Sequence, residues 1–148
     1  MSSPPNTPES VTAQQMIQRL EQFLAFIFKA QIDEAVALCA TDIRLVGIRP
    51  EPCDQVSIYG EYFGHSGVRQ FFANFAALID AGEFQIIQRL SMQNHVVLYG
   101  NFKHQIKRTG KPFHSEWCLV VRFNHANLVA HYHMYEDSAA LETALLPD

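Results

Sequence analysis

One stretch constrains the fold of this chain more than any other: residues 103–137, KHQIKRTGKPFHSEWCLVVRFNHANLVAHYHMYED. Two turn signals divide it into three strands, because residues 109–112 include a glycine and a proline, and residues 124–127 include two asparagines. Between these turns, residues 117–121 are apolar without alternation. A strand with one solvated face alternates apolar and polar residues, so this run predicts an antiparallel sheet that is covered on both faces.

The rest of the chain predicts helices and further strands. Apolar residues recur every three or four positions over residues 12–30, which predicts an amphipathic helix that begins near Ser10. Further helices are predicted over residues 32–39, 68–79 and 139–145, the last of them capped by Ser138. Strands are predicted over residues 42–46, 83–92 and 95–107. Residues 49–64 contain prolines and glycines, which predicts a loop with a short strand at 56–59.

This order of elements indicates a single α+β domain. Helices combined with a run of antiparallel strands are typical of helices packed on one face of a strongly bent sheet. We assign residues 11–148 to this domain. Residues 1–10, MSSPPNTPES, are dominated by serine and proline, and we expect them to form a flexible leader.

Composition excludes several functional classes. A net charge of −4 leaves no basic surface to neutralise phosphates, so we expect no nucleic-acid partner. No apolar run is long enough to span a bilayer and the N-terminus lacks an export signal, so we expect no membrane partner. The three cysteines are widely spaced without a CxxC pair, which is typical of reduced thiols in a cytoplasmic protein.

Several motifs resemble those of one superfamily when they are taken in order: DEAVALCATDIRLVG, GHSGVRQFFANF, TGKPF, RFN and YEDSAAL. Over residues 11–146 the chain resembles the cone-shaped superfamily that contains nuclear transport factor two, ketosteroid isomerase, scytalone dehydratase and the SnoaL-type polyketide cyclases. The resemblance implies a mixed or antiparallel sheet, strongly bent and wrapped around helices on its concave face. It also implies a small-molecule pocket inside the cone, but it does not identify a reaction, because this fold carries many functions.

The resemblance also implies what the chain does not do. Ketosteroid isomerase uses an aspartate base and an oxyanion hole of a tyrosine and a protonated aspartate. Those three positions fall on Gly47, near Phe23 and on Leu119, none of which can transfer or donate a proton. The SnoaL-type cyclases place an acid–base aspartate near the end of the last strand, which corresponds to Asp137.

Side-chain alternation assigns the strand residues to two faces. In the register of the superfamily, Trp117 and Phe123 point into the cone. The last strand then presents its polar residues to the same pocket: His131, His133, Tyr135 and Asp137. Together with Tyr99 and Phe26, the aromatic residues would form a lining suited to a flat apolar ligand. We predict Asp137 and His133 as the catalytic pair, and the other six residues as binding residues.

The same residues have alternative roles. Asp137 precedes the last helix, so it could equally act as an N-cap, with or without catalysis. The His131–His133 pair could ligate a metal together with Asp137 or His114, or be part of the core or an interface. We predict no metal and no cofactor, and we interpret these histidines as residues that hydrogen-bond a ligand or water.

The strand residues that alternate with the pocket-facing ones predict a dimer interface. The alternation of side chains places four apolar or amphipathic residues on the uncovered outer face of the sheet: Cys118, Val120, Tyr132 and Met134. Such a patch is typical of a twofold homodimer.

Two functional hypotheses follow. In the first, the protein is a cofactor-free lyase, isomerase or cyclase that acts by general acid–base catalysis on a small apolar or aromatic compound. In the second, it is a non-catalytic ligand-binding protein or dimerisation module of the same fold.

Overall fold

The computed structural model describes the backbone of residues 8–148 and the side chains from residue 13 onward. The predicted leader, residues 1–10, therefore lies largely outside the described residues. The described helices are α1 (Pro8–Phe28), α2 (Ile32–Val36), α3 (Gly64–Leu78) and α4 (Ser138–Leu145). None of these helices is long and apolar enough to cross a membrane.

Six described strands form one mixed sheet: β1 (Cys39–Gly47), β2 (Gly60–Phe63), β3 (Ile79–Met92), β4 (His95–Ile106), β5 (Pro112–Phe123) and β6 (Val129–Glu136). Their order across the sheet is β2-β1-β6-β5-β4-β3. β1 and β6 run parallel, whereas the other neighbours are antiparallel. The predicted α+β class is confirmed.

The core lies between the helices and the inner face of the sheet. Spacings of three and four residues along α1 bring Met16, Leu20 and Phe23 to one buried face. β4 and β5 alternate between buried and more exposed residues along their length. Leu98 and Leu119, for example, are paired across these strands and are fully buried. The apolar period of each element therefore directs one face of it into a shared core.

Several predicted boundaries differ from the observed ones, and three of these differences show how the chain is arranged. The second helix ends at Val36, because Cys39 already pairs with Val129 as the first residue of β1. Residues 56–59 are not a strand; Val56 forms a single bridge to Cys53, and the strand follows as β2. The helix α4 is capped by Asp137 rather than by Ser138.

A β-bulge reverses the predicted faces of the last strand. Phe123 pairs with Val129, but Arg122 pairs with His131, so Ala130 is an extra residue on β6. Beyond that point the even-numbered residues face inward: Tyr132, Met134 and Glu136. The odd-numbered residues His131, His133 and Tyr135 face outward beside Val120 and Cys118. The prediction that the histidines point into the cone is wrong, because one inserted residue exchanges the two faces of a strand.

Candidate functional site

Two adjoining cavities lie between the helices and the inner face of the sheet. The outer cavity has a volume of about 430 Å³ and lies between the end of α1, α3 and the start of β3. The inner cavity has a volume of about 40 Å³ and extends to the end of β6. Four apolar residues form walls of both: Ile27, Phe28, Phe72 and Phe75. The inner cavity has room for a few water-sized groups, whereas the outer cavity can hold the body of a small organic molecule.

Glu136 is the acidic residue of the inner cavity. It ends β6 opposite Trp117 of β5, so both side chains project from the inner face of the sheet. Burial raises the pKa of Glu136 from 4.5 to about 8, because the enclosed carboxyl loses the water that would stabilise its charge. The protonated, neutral form therefore predominates at pH 7.

His104 is the imidazole of the inner cavity, and it is almost fully buried. Its Nδ1 accepts a hydrogen bond from the Gly82 N–H at 3.0 Å. Its ring stacks on Phe102 and meets the edge of Phe75. Burial lowers the pKa of His104 to about 4, so the ring is neutral at pH 7. Because Nδ1 is an acceptor, the remaining hydrogen is on Nε2, which leaves His104 with one N–H donor.

Trp117 supports this region from the sheet. Its indole stacks on Phe84 at 4.5 Å between ring centroids, and Phe84 is a wall of the inner cavity. The indole Nε1 is buried without a hydrogen-bond partner among the described residues. Gly100, on β4, is paired with Trp117. A Cβ atom at Gly100 would overlap the Gln85 carbonyl oxygen and lie 3.1 Å from the indole. A glycine is therefore required for the indole to lie against the neighbouring strands.

Tyr132 forms a further wall of the inner cavity. Its ring packs at 5.7 Å from Phe23 of α1 and 6.3 Å from Phe72 of α3, between ring centroids. Burial, followed by the nearby Glu136 carboxyl, raises the pKa of the Tyr132 hydroxyl above its ordinary range. Tyr132 therefore remains a neutral phenol at any physiological pH.

The sequence profile of the SnoaL-like domain matches residues 20–132. The chain belongs to the SnoaL-like domain family. No curated protein matches the chain by sequence.

Solved structures agree with this assignment at the level of the fold. An NTF2-like protein from Burkholderia xenovorans LB400 is 18% identical, with a TM-score of 0.78, and the match covers 90% of this chain and 97% of that one. A provisionally named polyketide cyclase from Xanthomonas campestris pv. campestris is 8% identical, with a TM-score of 0.75 and coverage of 91% and 99%. A provisionally named isomerase from Rhodopseudomonas palustris is 14% identical, with a TM-score of 0.73 and coverage of 87% and 94%. At these identities the likeness shows the cone fold alone.

In this SnoaL-like chain the two predicted histidines lie on the outer face of the sheet. Arg44 Nη1 donates to His131 Nε2 at 2.7 Å, and Arg44 also pairs with Glu61 at 3.1 Å. His133 stacks on Tyr135, and its Nε2 donates to the Ile48 carbonyl oxygen at 2.7 Å. Burial, followed by the Arg44 charge, lowers the pKa of His131, and burial also lowers that of His133. These two residues therefore do not line the cavities, and the prediction that they face the pocket is wrong.

Asp137 lies outside the cavities as well. Its carboxylate accepts a hydrogen bond from the Ala140 N–H at 3.0 Å, which is the geometry of an N-cap, and the residue is exposed. Of the two roles that the sequence left open, the structure shows the cap. The carboxyl that reaches the cavity is its neighbour, Glu136.

The other predicted binding and interface residues divide between the two faces. Trp117 and Phe123 are buried on the inner face, as predicted, but neither is a wall of the two cavities. Tyr99 is 42% exposed and pairs with Cys118 on the outer face, so it lies outside the pocket. Phe26 is partly buried in the core but is a wall of neither cavity. Tyr132 and Met134 are buried inside the cone, so only Cys118 and Val120 of the predicted patch lie on the outer face.

The positions that correspond to the ketosteroid isomerase residues are occupied by core packing. Phe23 and Leu119 are fully buried. At Gly47 a Cβ atom would overlap the Ile58 carbonyl oxygen and lie 2.9 Å from the Phe71 ring. Gly47 is thus needed for close packing, and no acidic side chain fits there without rearrangement.

The sequence contained a signal for one of the residues that we missed. His104 follows the inward positions 96, 98, 100 and 102 of a strictly alternating strand, so parity alone indicated that it faces the core. Glu136 had no such signal, because the bulge at Ala130 sets its direction. Within the described residues, no group of three His, Cys, Asp or Glu side chains could hold a metal ion.

Proposed function

We propose that this SnoaL-like protein is a cofactor-free lyase, isomerase or cyclase, which acts by proton transfer on a small apolar or aromatic compound. The observation that carries the proposal is a single carboxyl, that of Glu136, which lines the small apolar inner cavity and has a pKa of about 8. Perturbed carboxyls in enclosed sites are typical of general acid–base catalysts.

The pKa of Glu136 suits both directions of proton transfer. An acid–base catalyst works best when its pKa lies near the working pH. At pH 7 roughly a tenth of a group with a pKa near 8 is ionised. The ionised form can remove a proton from a carbon next to a carbonyl group, and the protonated form can return it to another atom of the same substrate. Isomerisation, elimination and ring closure through an enolate all require such steps.

His104 supplies the second polar group. Its neutral ring keeps one N–H donor, and it lies in the same inner cavity as Glu136. A neutral donor in a dry site can stabilise the negative charge that develops on a carbonyl oxygen during enolate formation. We assign this role to His104 and the proton transfer to Glu136.

The cavity walls favour the substrate class. Apolar residues predominate in the outer cavity, which has room for an aromatic or alicyclic body. The inner cavity is small enough that only the reacting end of such a molecule would enter it. A carbonyl or hydroxyl group at that end would enter the cavity that both Glu136 and His104 line.

The alternative is a ligand-binding protein without catalysis. The observation that favours it is the small inner volume of about 40 Å³, which limits how deeply a substrate could approach Glu136. Under this alternative, Glu136 would donate a hydrogen bond to the ligand but would transfer no proton to or from it.

Hydrogen–deuterium exchange separates the two proposals without knowledge of the product. The protein is incubated in D₂O with a panel of aromatic and alicyclic ketones that have acidic α-hydrogens, and deuterium incorporation is followed by NMR. We expect catalysed exchange with the wild type and a loss of at least about 100-fold in Glu136→Gln. Asp137→Asn is the matched control, because this neighbouring carboxylate lies outside the cavities, and it should keep the wild-type rate. Binding of the ketones without exchange would support the ligand-binding alternative. Equal exchange by Glu136→Gln would contradict the catalytic role of Glu136.

A further inference from the structure

The backbone is strained beside the inner cavity, at residues 47–49. Ile48 has a φ of 69°, in the left-handed region that β-branched residues almost never adopt. The Arg49 N–H donates to the Gly47 carbonyl oxygen at 2.8 Å, which closes a three-residue turn around Ile48. Turns of this type with a positive φ at the centre are rare and strained. Such a conformation persists only where surrounding contacts hold it.

Two hydrogen bonds hold this turn from outside. The His133 Nε2–H donates to the Ile48 carbonyl oxygen at 2.7 Å, from the outer face of the sheet. The Gly60 N–H donates to the Arg49 carbonyl oxygen at 2.9 Å. In the parallel ladder His133 pairs with Val46, and Met134 pairs with Gly47, so β6 runs directly beside the turn. His133 is therefore the side chain that reaches the strained peptide.

The Ile48 side chain points the other way, into the cone. It is 9% exposed and forms a wall of the inner cavity together with Met134 and Glu136. One residue thus presents its carbonyl to the outer face and its side chain to the inner cavity. A change in the backbone of Ile48 would move the wall beside the Glu136 carboxyl.

We propose that His133 is a positioning residue for the inner cavity, because its hydrogen bond holds the Ile48 turn in the conformation that closes the wall beside Glu136. This inference rests on the proposed function, since it assigns to Glu136 the environment that proton transfer requires. It gives a role to a histidine that lies outside the cavity and cannot touch a substrate. His133 acts on the site through the backbone of the Ile48 turn, which directly follows β1.

Three variants test this role. His133→Phe keeps a flat ring against Tyr135 but removes the donor to Ile48. His133→Gln keeps an N–H donor near the position of Nε2. His131→Phe is the matched control, because it removes the neighbouring outer-face histidine, which contacts Arg44 rather than the turn. The readouts are the titration midpoint of Glu136, from ¹³C NMR of labelled glutamate, and the affinity for the uncharged fluorescent probe N-phenyl-1-naphthylamine.

We expect His133→Phe to lower the Glu136 midpoint by about one pH unit or more, because a displaced wall admits water to the carboxyl. The affinity of this variant for the probe should stay within about twofold of the wild-type affinity, since Ile48 is not a wall of the outer cavity. In His133→Gln and in His131→Phe, Glu136 should titrate with the wild-type midpoint. An unchanged midpoint in a folded His133→Phe variant would overturn the positioning role.

A measurement on the wild type covers the case in which His133→Phe does not fold. Long-range ¹H–¹⁵N NMR of the His133 ring at neutral pH should show the hydrogen on Nε2, and a hydrogen on Nδ1 alone would overturn the proposal. An ordinary Glu136 midpoint in the wild type would instead contradict the proposed function. The failure of one idea is therefore distinguishable from the failure of the other.

Discussion

Replacing the Glu136 carboxyl with an amide should stabilise the protein, and the gain should grow with pH. The carboxyl lies among the walls of the inner cavity. Although the residue as a whole is only half-buried, the loss of water around the carboxyl makes its ionisation unfavourable in the folded state. In the unfolded chain the same group is solvated and ionises near its ordinary value of 4.5. Glu136→Gln has nearly the same shape but cannot ionise, so it removes this penalty.

The magnitude follows from the difference between the two pKa values. Because the folded pKa is raised, wild-type stability is fully present below pH 4.5 and falls as the pH rises toward 8. Each pKa unit corresponds to about 1.4 kcal/mol, so the limit above pH 8 is about 5 kcal/mol, of which about 3 kcal/mol is reached at pH 7. At pH 5 the difference should be only about 1 kcal/mol. Water that enters the cavity would reduce these values, so they are upper limits.

Urea denaturation at pH 5, 7 and 9 measures the effect. The quantity of interest is the free energy of unfolding of Glu136→Gln minus that of the wild type, because all other titrating groups cancel in this difference. Glu116→Gln is the control, since Glu116 is the exposed neighbour of Trp117 on β5, and its difference should stay near zero. A Glu136→Gln difference that is the same at pH 5 and pH 9 would refute the desolvated carboxyl and, with it, the proposed acid–base role.

Two further predictions concern the outer face and the last helix. We propose that the outer face of the sheet pairs with a second copy of the chain, because Cys118 and Val120 are only half-buried there and Tyr99 and Tyr135 are exposed. Val120→Glu should then convert a dimer into a monomer in light scattering, and a monomeric wild type at micromolar concentration would contradict the interface. Asp137→Ala should lower the free energy of unfolding by about 1 kcal/mol through loss of the helix cap, without reducing ketone exchange. A large loss of exchange in a folded Asp137→Ala variant would return Asp137 to the catalytic site.

The sequence by itself determined the elements and, except in β6, their packing faces. The three- and four-residue spacing of apolar residues in α1 and the strict alternation in β4 and β5 are local patterns, and local patterns survive in any tertiary arrangement. The turn at Gly110 could also be predicted from the sequence, because its φ of 71° is accessible to glycine at little cost. The order of these elements, together with the motifs that they carry, was sufficient to predict the family and the cone fold.

Only the tertiary structure decided which residues of the last strand reach the cavity. Along residues 129–136 the odd-numbered and the even-numbered positions both contain amphipathic side chains. The sequence therefore does not indicate which of the two sets faces the cavity. A single extra residue at Ala130 exchanged them, and it replaced His133 and Asp137 with Glu136 as the group inside the cone. The strained turn at Ile48 was equally invisible, because it depends on a hydrogen bond between residues that are far apart in sequence. The candidate site is therefore set by the register between strands, which is a property of the assembled sheet and not of any one strand.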